Sequence, residues 1–129
     1  MFTISQIKDA HSNVKSGSDF PKYIQELIKL GVKKYDIYVY DGHGEYFGTN
    51  NFETKSEAKY TLLTVAETSD TGKFKQYLKI HQEGQTDYMT FCNHSAECGV
   101  QKWTVNTTEM TCTYYDQQGK EMLMETIPG

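Results

Sequence analysis

The sequence has no long hydrophobic run, few prolines and no excess of basic residues, and each absence limits what the protein can be. No stretch approaches the roughly 20 apolar residues that a membrane-spanning helix needs, so we expect no membrane partner. With only two prolines and no linker rich in Pro, Gly or Ser, residues 1–129 are predicted to form a single domain. The 13 basic residues are outnumbered by 17 acidic ones, which disfavours nucleic-acid binding because that depends on neutralising phosphates.

Cysteine is also scarce. The three cysteines, Cys92, Cys98 and Cys112, cannot all pair within one chain. The N-terminal residues lack the basic start and apolar core of a secretory signal. Both features favour a reducing compartment, and we expect a cytoplasmic protein.

What the sequence does contain is a pattern that recurs after 68 residues. Leu30-Gly31-Val32-Lys33-Lys34-Tyr35 and Cys98-Gly99-Val100-Gln101-Lys102-Trp103 both combine a helix end, a glycine and a strand with a basic residue followed by a large aromatic one. Other positions agree in type: Gly17 with Gly84, Asp19 with Asp87, Phe20 with Tyr88 and Tyr23 with Phe91. The pattern predicts an internal repeat of residues 1–66 and 67–129.

Hydrophobic spacing predicts the same α-α-β-β-β order in each half. In the first half, Thr3 and Gln6 are typical of a capping box, Gly17 and Gly31 end two helices, and strands are predicted at 35–40, 45–49 and 59–66. In the second half, helices end at Gly84 and Gly99, and a meander follows at 102–106, 110–115 and 120–127. We therefore predict an α+β fold with helices packed on one face of an antiparallel sheet.

The whole chain resembles a family of small uncharacterised bacterial proteins. They are often encoded in or near prophages, and many carry the inherited name phage envelope protein. The motifs that carry the resemblance are Met1-Phe2-Thr3, Ile7-Lys8-x-Ala10-His11-Ser12, Val14-Lys15-Ser16-Gly17, Asp19-Phe20-Pro21, Leu30-Gly31-Val32, Tyr38-Val39-x-Asp41-Gly42-His43, Thr86-Asp87-Tyr88, Lys102-Trp103 and Met110-Thr111-Cys112-Thr113-Tyr114-Tyr115-Asp116. The resemblance implies an α+β fold and a bacterial, cytoplasmic protein, but no activity. The family name alone suggests a phage structural component.

The hairpin around Asp41-Gly42-His43-Gly44 is the first candidate site. A histidine beside a carboxylate can transfer protons near neutral pH. The same residues also suit a simple turn, in which Asp41 bonds its own backbone and the glycines supply positive φ angles. Tyr38 and Tyr40 are predicted to share one sheet face as an exposed aromatic stripe.

The cysteines and the other histidines favour structural roles. Cys92-x-His94-x-x-x-Cys98 contains zinc-binding residue types, but at most two of them share a helix face, and a structural site needs four ligands. Cys112 occupies a packing position within a strand. His11 and His81 lie on apolar helix faces and are interpreted as core-edge residues. We predict no metal and no cofactor.

Our leading hypothesis is a non-catalytic binding or accessory module with a tyrosine-rich cleft where the two halves meet. A small ligand or a protein partner would bind there. The predicted ligand-binding residues are Tyr38, Tyr40, Asp41, His43, Tyr46, Tyr60, Trp103 and Tyr115. The alternative is a small enzyme that uses Asp41 and His43 as an acid–base pair. The strand at 120–127 is a candidate edge for a homodimer.

Overall fold

The fold is α+β, with four helices and a six-stranded antiparallel sheet among the described residues. The computed structural model describes residues 2–14 and 19–128. Along the chain the elements are α1 (Ile4–His11), α2 (Phe20–Leu30), β1 (Lys34–Tyr38), β2 (Gly44–Phe47), β3 (Glu53–Lys55), α3 (Thr71–Gln82), α4 (Tyr88–Glu97), β4 (Val100–Asn106), β5 (Thr111–Asp116) and β6 (Glu121–Thr126). The predicted α-α-β-β-β order is therefore present in both halves.

The first strands of the two halves pair at the centre of the sheet, whose order is β3-β2-β1-β4-β5-β6. In the antiparallel pairing of β1 with β4, Asp36 lies opposite Thr104, which is 68 residues later in the sequence. The two strands that pair at the centre of the sheet are therefore the strands that occupy equivalent positions in the predicted repeat. That the halves arose by duplication stays a prediction.

The helices cover one face of the sheet, which we call the helix face. The rings of Tyr35, Trp103 and Tyr114 on this face contact the rings of Tyr23, Phe91 and Phe74, respectively, at centroid distances of 6.5, 5.6 and 4.8 Å. The opposite face, which we call the open face, carries Lys34, Asp36, Tyr38, Glu45, Phe47, Lys102, Thr104, Thr113, Tyr115 and Met124. The core therefore lies between the helices and the helix face.

The helix boundaries follow from local chemistry that the sequence predicted. Thr3 and Gln6 form the reciprocal capping box of α1. The side chains of Asp70 and Asp87 accept backbone N–H groups at the starts of α3 and α4. Gly31 has φ +98° and Gly99 has φ +85°, a left-handed conformation that glycine adopts without strain.

The third strand of the first half was predicted wrongly. It lies at Glu53–Lys55, and residues 59–66 form no strand. β3 is a short polar edge strand, so the pattern of apolar residues does not reveal it. The Thr-, Leu- and Val-rich stretch instead bonds the irregular turn after β1, where Lys59 N–H donates to the Asp41 carbonyl and Leu63 N–H to the Tyr40 carbonyl, both at 2.8 Å.

Smaller differences concern boundaries. Tyr40 lies in the turn after β1, and β2 ends at Phe47, two residues earlier than predicted. The predicted helix end at Gly17 lies outside the described residues. In the described part of the chain, no helix is long and apolar enough to cross a bilayer.

Candidate functional site

A cavity of about 410 Å³ lies between the helices and the helix face, and we call it the central cavity. Both halves of the chain contribute residues to its wall. Its lining residues are His11, Val14, Phe20, Pro21, Tyr23, Tyr35, Ile37, Tyr46, Lys59, Leu78, His81, Gln82, Tyr88, Phe91, Trp103, Cys112, Tyr114, Glu125, Thr126, Ile127 and Pro128.

Aromatic rings form much of the wall on the side of the second half. The Trp103 indole lies 5.6 Å from the Phe91 ring, 6.1 Å from Tyr114 and 6.4 Å from Tyr88, all between centroids. Such tilted and edge-on arrangements are the favourable ones for ring pairs. This side therefore presents a rigid apolar surface with a few polar tips.

The side of the first half carries tyrosine hydroxyls. Tyr35 stacks on Tyr46 at 5.3 Å, and the hydroxyls of Tyr23 and Tyr46 share a hydrogen bond. Burial raises the pKa of Tyr46 to about 12 and the pKa values of Tyr23 and Tyr35 further still. These phenols are neutral hydrogen-bonding groups at physiological pH.

Two histidines from the last turns of α1 and α3 face the cavity. His11 packs edge-on against Tyr23 and Tyr88 at 5.2 and 5.3 Å. Burial, and secondarily the positive charge of Lys59, lowers the pKa of His11 to about 4. His81 stacks on Phe91 at 4.3 Å, and burial also lowers its pKa. Both imidazoles are therefore uncharged at neutral pH.

Cys112 is the cysteine in the cavity wall. All three cysteines are free and buried. Burial raises the pKa of Cys112 to about 12, so this thiol stays protonated and is a poor nucleophile. Its surroundings agree with the packing role expected for it.

The predicted ligand-binding residues divide between two places. Tyr46 and Trp103 lie in the wall of the central cavity. Tyr60 is half-buried; its hydroxyl donates to the Val39 carbonyl at 2.6 Å and bonds the Cys92 thiol. The other five, Tyr38, Tyr40, Asp41, His43 and Tyr115, do not line the cavity.

These five residues belong to a cluster at the open face and the turn beside it. Tyr38 stacks flat on His43, with 4.6 Å between ring centroids, and Tyr40 lies edge-on to both rings. The Lys102 ammonium lies 5.7 Å from the centre of the Tyr38 ring and 5.6 Å from that of Tyr115. Tyr38, at the end of β1, and Tyr40, in the turn after it, are both only partly exposed, so the exposed stripe predicted on one sheet face is instead a half-buried cluster with a cation between two of its rings.

The Asp41 turn shows features of both interpretations, the simple turn and the Asp41–His43 pair. The Asp41 carboxylate accepts the His43 backbone N–H at 3.0 Å, and Gly42 has φ +77°. The carboxylate also lies 2.6 Å from His43 Nδ1, while Nε2 lies 3.3 Å from a Glu45 oxygen. Each ring nitrogen therefore has a carboxylate partner.

The zinc-binding residue types do not converge. Cys92 lies beside the hydroxyls of Tyr60 and Tyr88, whereas His94 stacks on Tyr77 at 3.7 Å. Within residues 2–14 and 19–128, no group of three or more His, Cys, Asp or Glu side chains has a geometry that could hold a metal ion.

Sequence reasoning missed most of the cavity wall. Tyr23, Tyr35, Tyr88 and Tyr114 were identified only as apolar-face or strand residues, because the spacing of a ring that lines a cavity is the same as that of a ring that fills the core. Two histidines gave the clearest sign of a cavity in the sequence. His11 and His81 each place a polar side chain on an apolar helix face near the helix end.

Comparison with known proteins gives one family. A family model described as "Protein of unknown function (DUF1398)" matches residues 8–126. No curated protein matches the chain.

Proposed function

The chain belongs to the DUF1398 family, whose description names no activity, and we propose that it is a binding protein for a small, mainly apolar ligand. The observation that carries the proposal is the central cavity. Its volume of about 410 Å³ lies within the range of about 300–1,000 Å³ typical of small-molecule sites, which also combine apolar walls with a few polar groups.

The lining of the cavity argues that it binds an apolar ligand. Its wall consists largely of aromatic and aliphatic side chains, and covering apolar surface contributes about 25 cal/mol per Å². An apolar ligand gains this contribution without leaving polar groups of its own unpaired.

The ionisation of the wall favours binding over catalysis. The phenols, the Cys112 thiol and the two imidazoles are all uncharged near pH 7, for the reasons given above. A general base or nucleophile works best with a pKa close to the operating pH. These groups are suited to orienting a ligand through hydrogen bonds.

Trp103 offers a direct test because it is the one tryptophan of the chain and lines the cavity. We expect 2-naphthamide, a neutral aromatic probe, to bind saturably at one site and to change Trp103 fluorescence. Ile37→Phe, which adds volume to the cavity wall, is expected to weaken binding about tenfold or more, since overfilling a packed site costs about 1–3 kcal/mol.

The matched control is Thr113→Phe, which places the same ring on the open face of the sheet. It should bind the probe like the wild type. Melting temperatures of both variants verify folding. Absence of saturable binding to the wild type, or equal loss in both folded variants, would contradict the proposal.

A second candidate function is the small enzyme. One observation favours it: the Asp41 and His43 side chains lie 2.6 Å apart at the half-buried turn. The Glu45 carboxylate at the other ring nitrogen opposes it, because it occupies the position from which His43 would meet a substrate. Hydrolysis of p-nitrophenyl acetate distinguishes the two: equal rates for the wild type and His43→Gln would speak against an esterase.

A further inference from the structure

A smaller pocket of about 140 Å³ adjoins the central cavity. Ile4, Ile7, Lys8, His11, Ser12, Tyr46, Ser56 and Lys59 line it. Three of them, His11, Tyr46 and Lys59, also line the central cavity. These three side chains therefore stand between the two spaces.

The charged side chains that line this pocket are all positive. Lys8 and Lys59 both face it, and no carboxylate is among its described lining residues. Neither lysine forms an ion pair within residues 2–14 and 19–128. Both lysines are exposed at the surface. Desolvation is the largest cause and lowers the pKa of Lys59; the Cys92 thiol opposes this shift and the charge of Lys8 adds to it.

The carboxylate of the central cavity lies at the opposite end of the sheet. Glu125 belongs to β6 and accepts a hydrogen bond from Gln82 at 2.8 Å. Tyr46 belongs to β2, four strand positions away, or about 19 Å at the usual strand spacing. The cavity is thus electrically asymmetric, with free positive charge at the β2 end.

The pocket also offers neutral donors. The Ser56 hydroxyl oxygen accepts the Gly44 N–H at 2.7 Å, which leaves its own proton free to donate. Tyr46, which also carries a hydroxyl, lines both spaces. An anion placed there would meet cations and hydroxyl donors together, the combination that carboxylates prefer.

We propose that the ligand is an aromatic carboxylate, with its ring between the aromatic walls of the central cavity and its carboxylate between Lys8 and Lys59. This inference rests on the proposed function and specifies its ligand class. The aromatic body follows from the ring-lined wall around Trp103, and the negative charge follows from the unpaired lysines.

The test compares 2-naphthoate with 2-naphthamide, which have nearly the same shape but differ in charge. By calorimetry at low salt, we expect the wild type to bind naphthoate about tenfold more tightly, the typical effect of one charge-assisted contact. In Lys59→Gln the ratio of the two affinities, naphthoate over naphthamide, should fall to about twofold or less. Lys55→Gln, an exposed lysine of β3 outside both cavities, should retain the full preference.

The outcomes separate the two proposals. If the two probes bind the wild type equally well, or the preference survives in a folded Lys8→Gln/Lys59→Gln double variant, the anion pocket is wrong and the binding function stands. If neither probe binds, both proposals fail. If decanoate binds more tightly than naphthoate, the aromatic body is wrong.

Discussion

His11 is half-buried among tyrosines in neutral form, and its protonation should affect stability. Its pKa is about 4 in the folded protein and about 6.5 in an unfolded chain. Between these values the unfolded state binds a proton that the folded state does not, so the free energy of unfolding must fall as the pH is lowered from about 6.5 to about 4. His81 acts in the same direction.

We expect His11→Phe to remove part of this acid sensitivity while keeping the ring contacts with Tyr23 and Tyr88. The stability that the wild type loses between pH 7 and pH 4.5 should shrink by about 2 kcal/mol, a value reduced because His11 is partly exposed. Urea unfolding at both pH values measures the difference. Parallel pH curves for the variant and the wild type would show that His11 does not titrate in this way.

For single residues, the sequence predicted which side chains take part in a site better than it predicted where those side chains lie. Tyr46 and Trp103 line the central cavity, because strand alternation puts them on the face that the helices cover. Tyr38 and Tyr115 lie on the opposite face. The prediction that Tyr38 and Tyr115 share a cleft with Tyr46 and Trp103 did not take this alternation of side chains along a strand into account.

Gly99, at the end of α4, joins two elements through a close backbone approach. A methyl group there would lie 2.8 Å from the Thr68 carbonyl oxygen and 2.9 Å from the Ser69 Cα atom. The residue also has φ +85°, which disfavours any side chain. The helix end is therefore fixed against the segment that precedes α3.

We expect Gly99→Ala to lower the free energy of unfolding by about 3 kcal/mol, from backbone strain and the clash together. The control is Gly119→Ala, where φ is +80° but nothing lies within 4 Å of the added carbon. It should lose only about 1 kcal/mol, the strain alone. Equal losses by urea unfolding would show that the contact with residues 68–69 is unimportant.

Elements with strong local signals were predicted well. Capping residues and helix-ending glycines involve neighbours in sequence, so their chemistry is readable without a fold. The segment at 59–66 was mistaken for a strand because its composition suits β-structure, whereas its actual bonds go to the turn at residues 40–41. Those hydrogen bonds depend on where the segment lies in the folded chain, and the amino-acid composition of the segment does not determine that position.

For the molecule as a whole, the two edges of the sheet differ in length. β3 has three residues and β6 has six, with Met124 exposed by 50% beside the outer edge. A long edge strand is the more suitable one for pairing two chains. The predicted homodimer is therefore expected to form through β6.

Sedimentation tests this arrangement. We expect a dimer for the wild type and a monomer for Met124→Lys, because a lysine on an edge strand opposes strand pairing. Leu62→Lys, at a residue exposed by 73% in a loop, should remain dimeric. Large assemblies would instead favour the phage structural component that the family resemblance suggested.

The central pairing of β1 with β4 has a consequence for synthesis on the ribosome. When the first half has emerged, one side of β1 still lacks its hydrogen-bonding neighbour, which is encoded about 66 residues downstream. The nascent chain must keep that edge from pairing with other chains until residue 106 has been translated and released. Translation speed and chaperone access over this interval should thus influence the yield of folded protein.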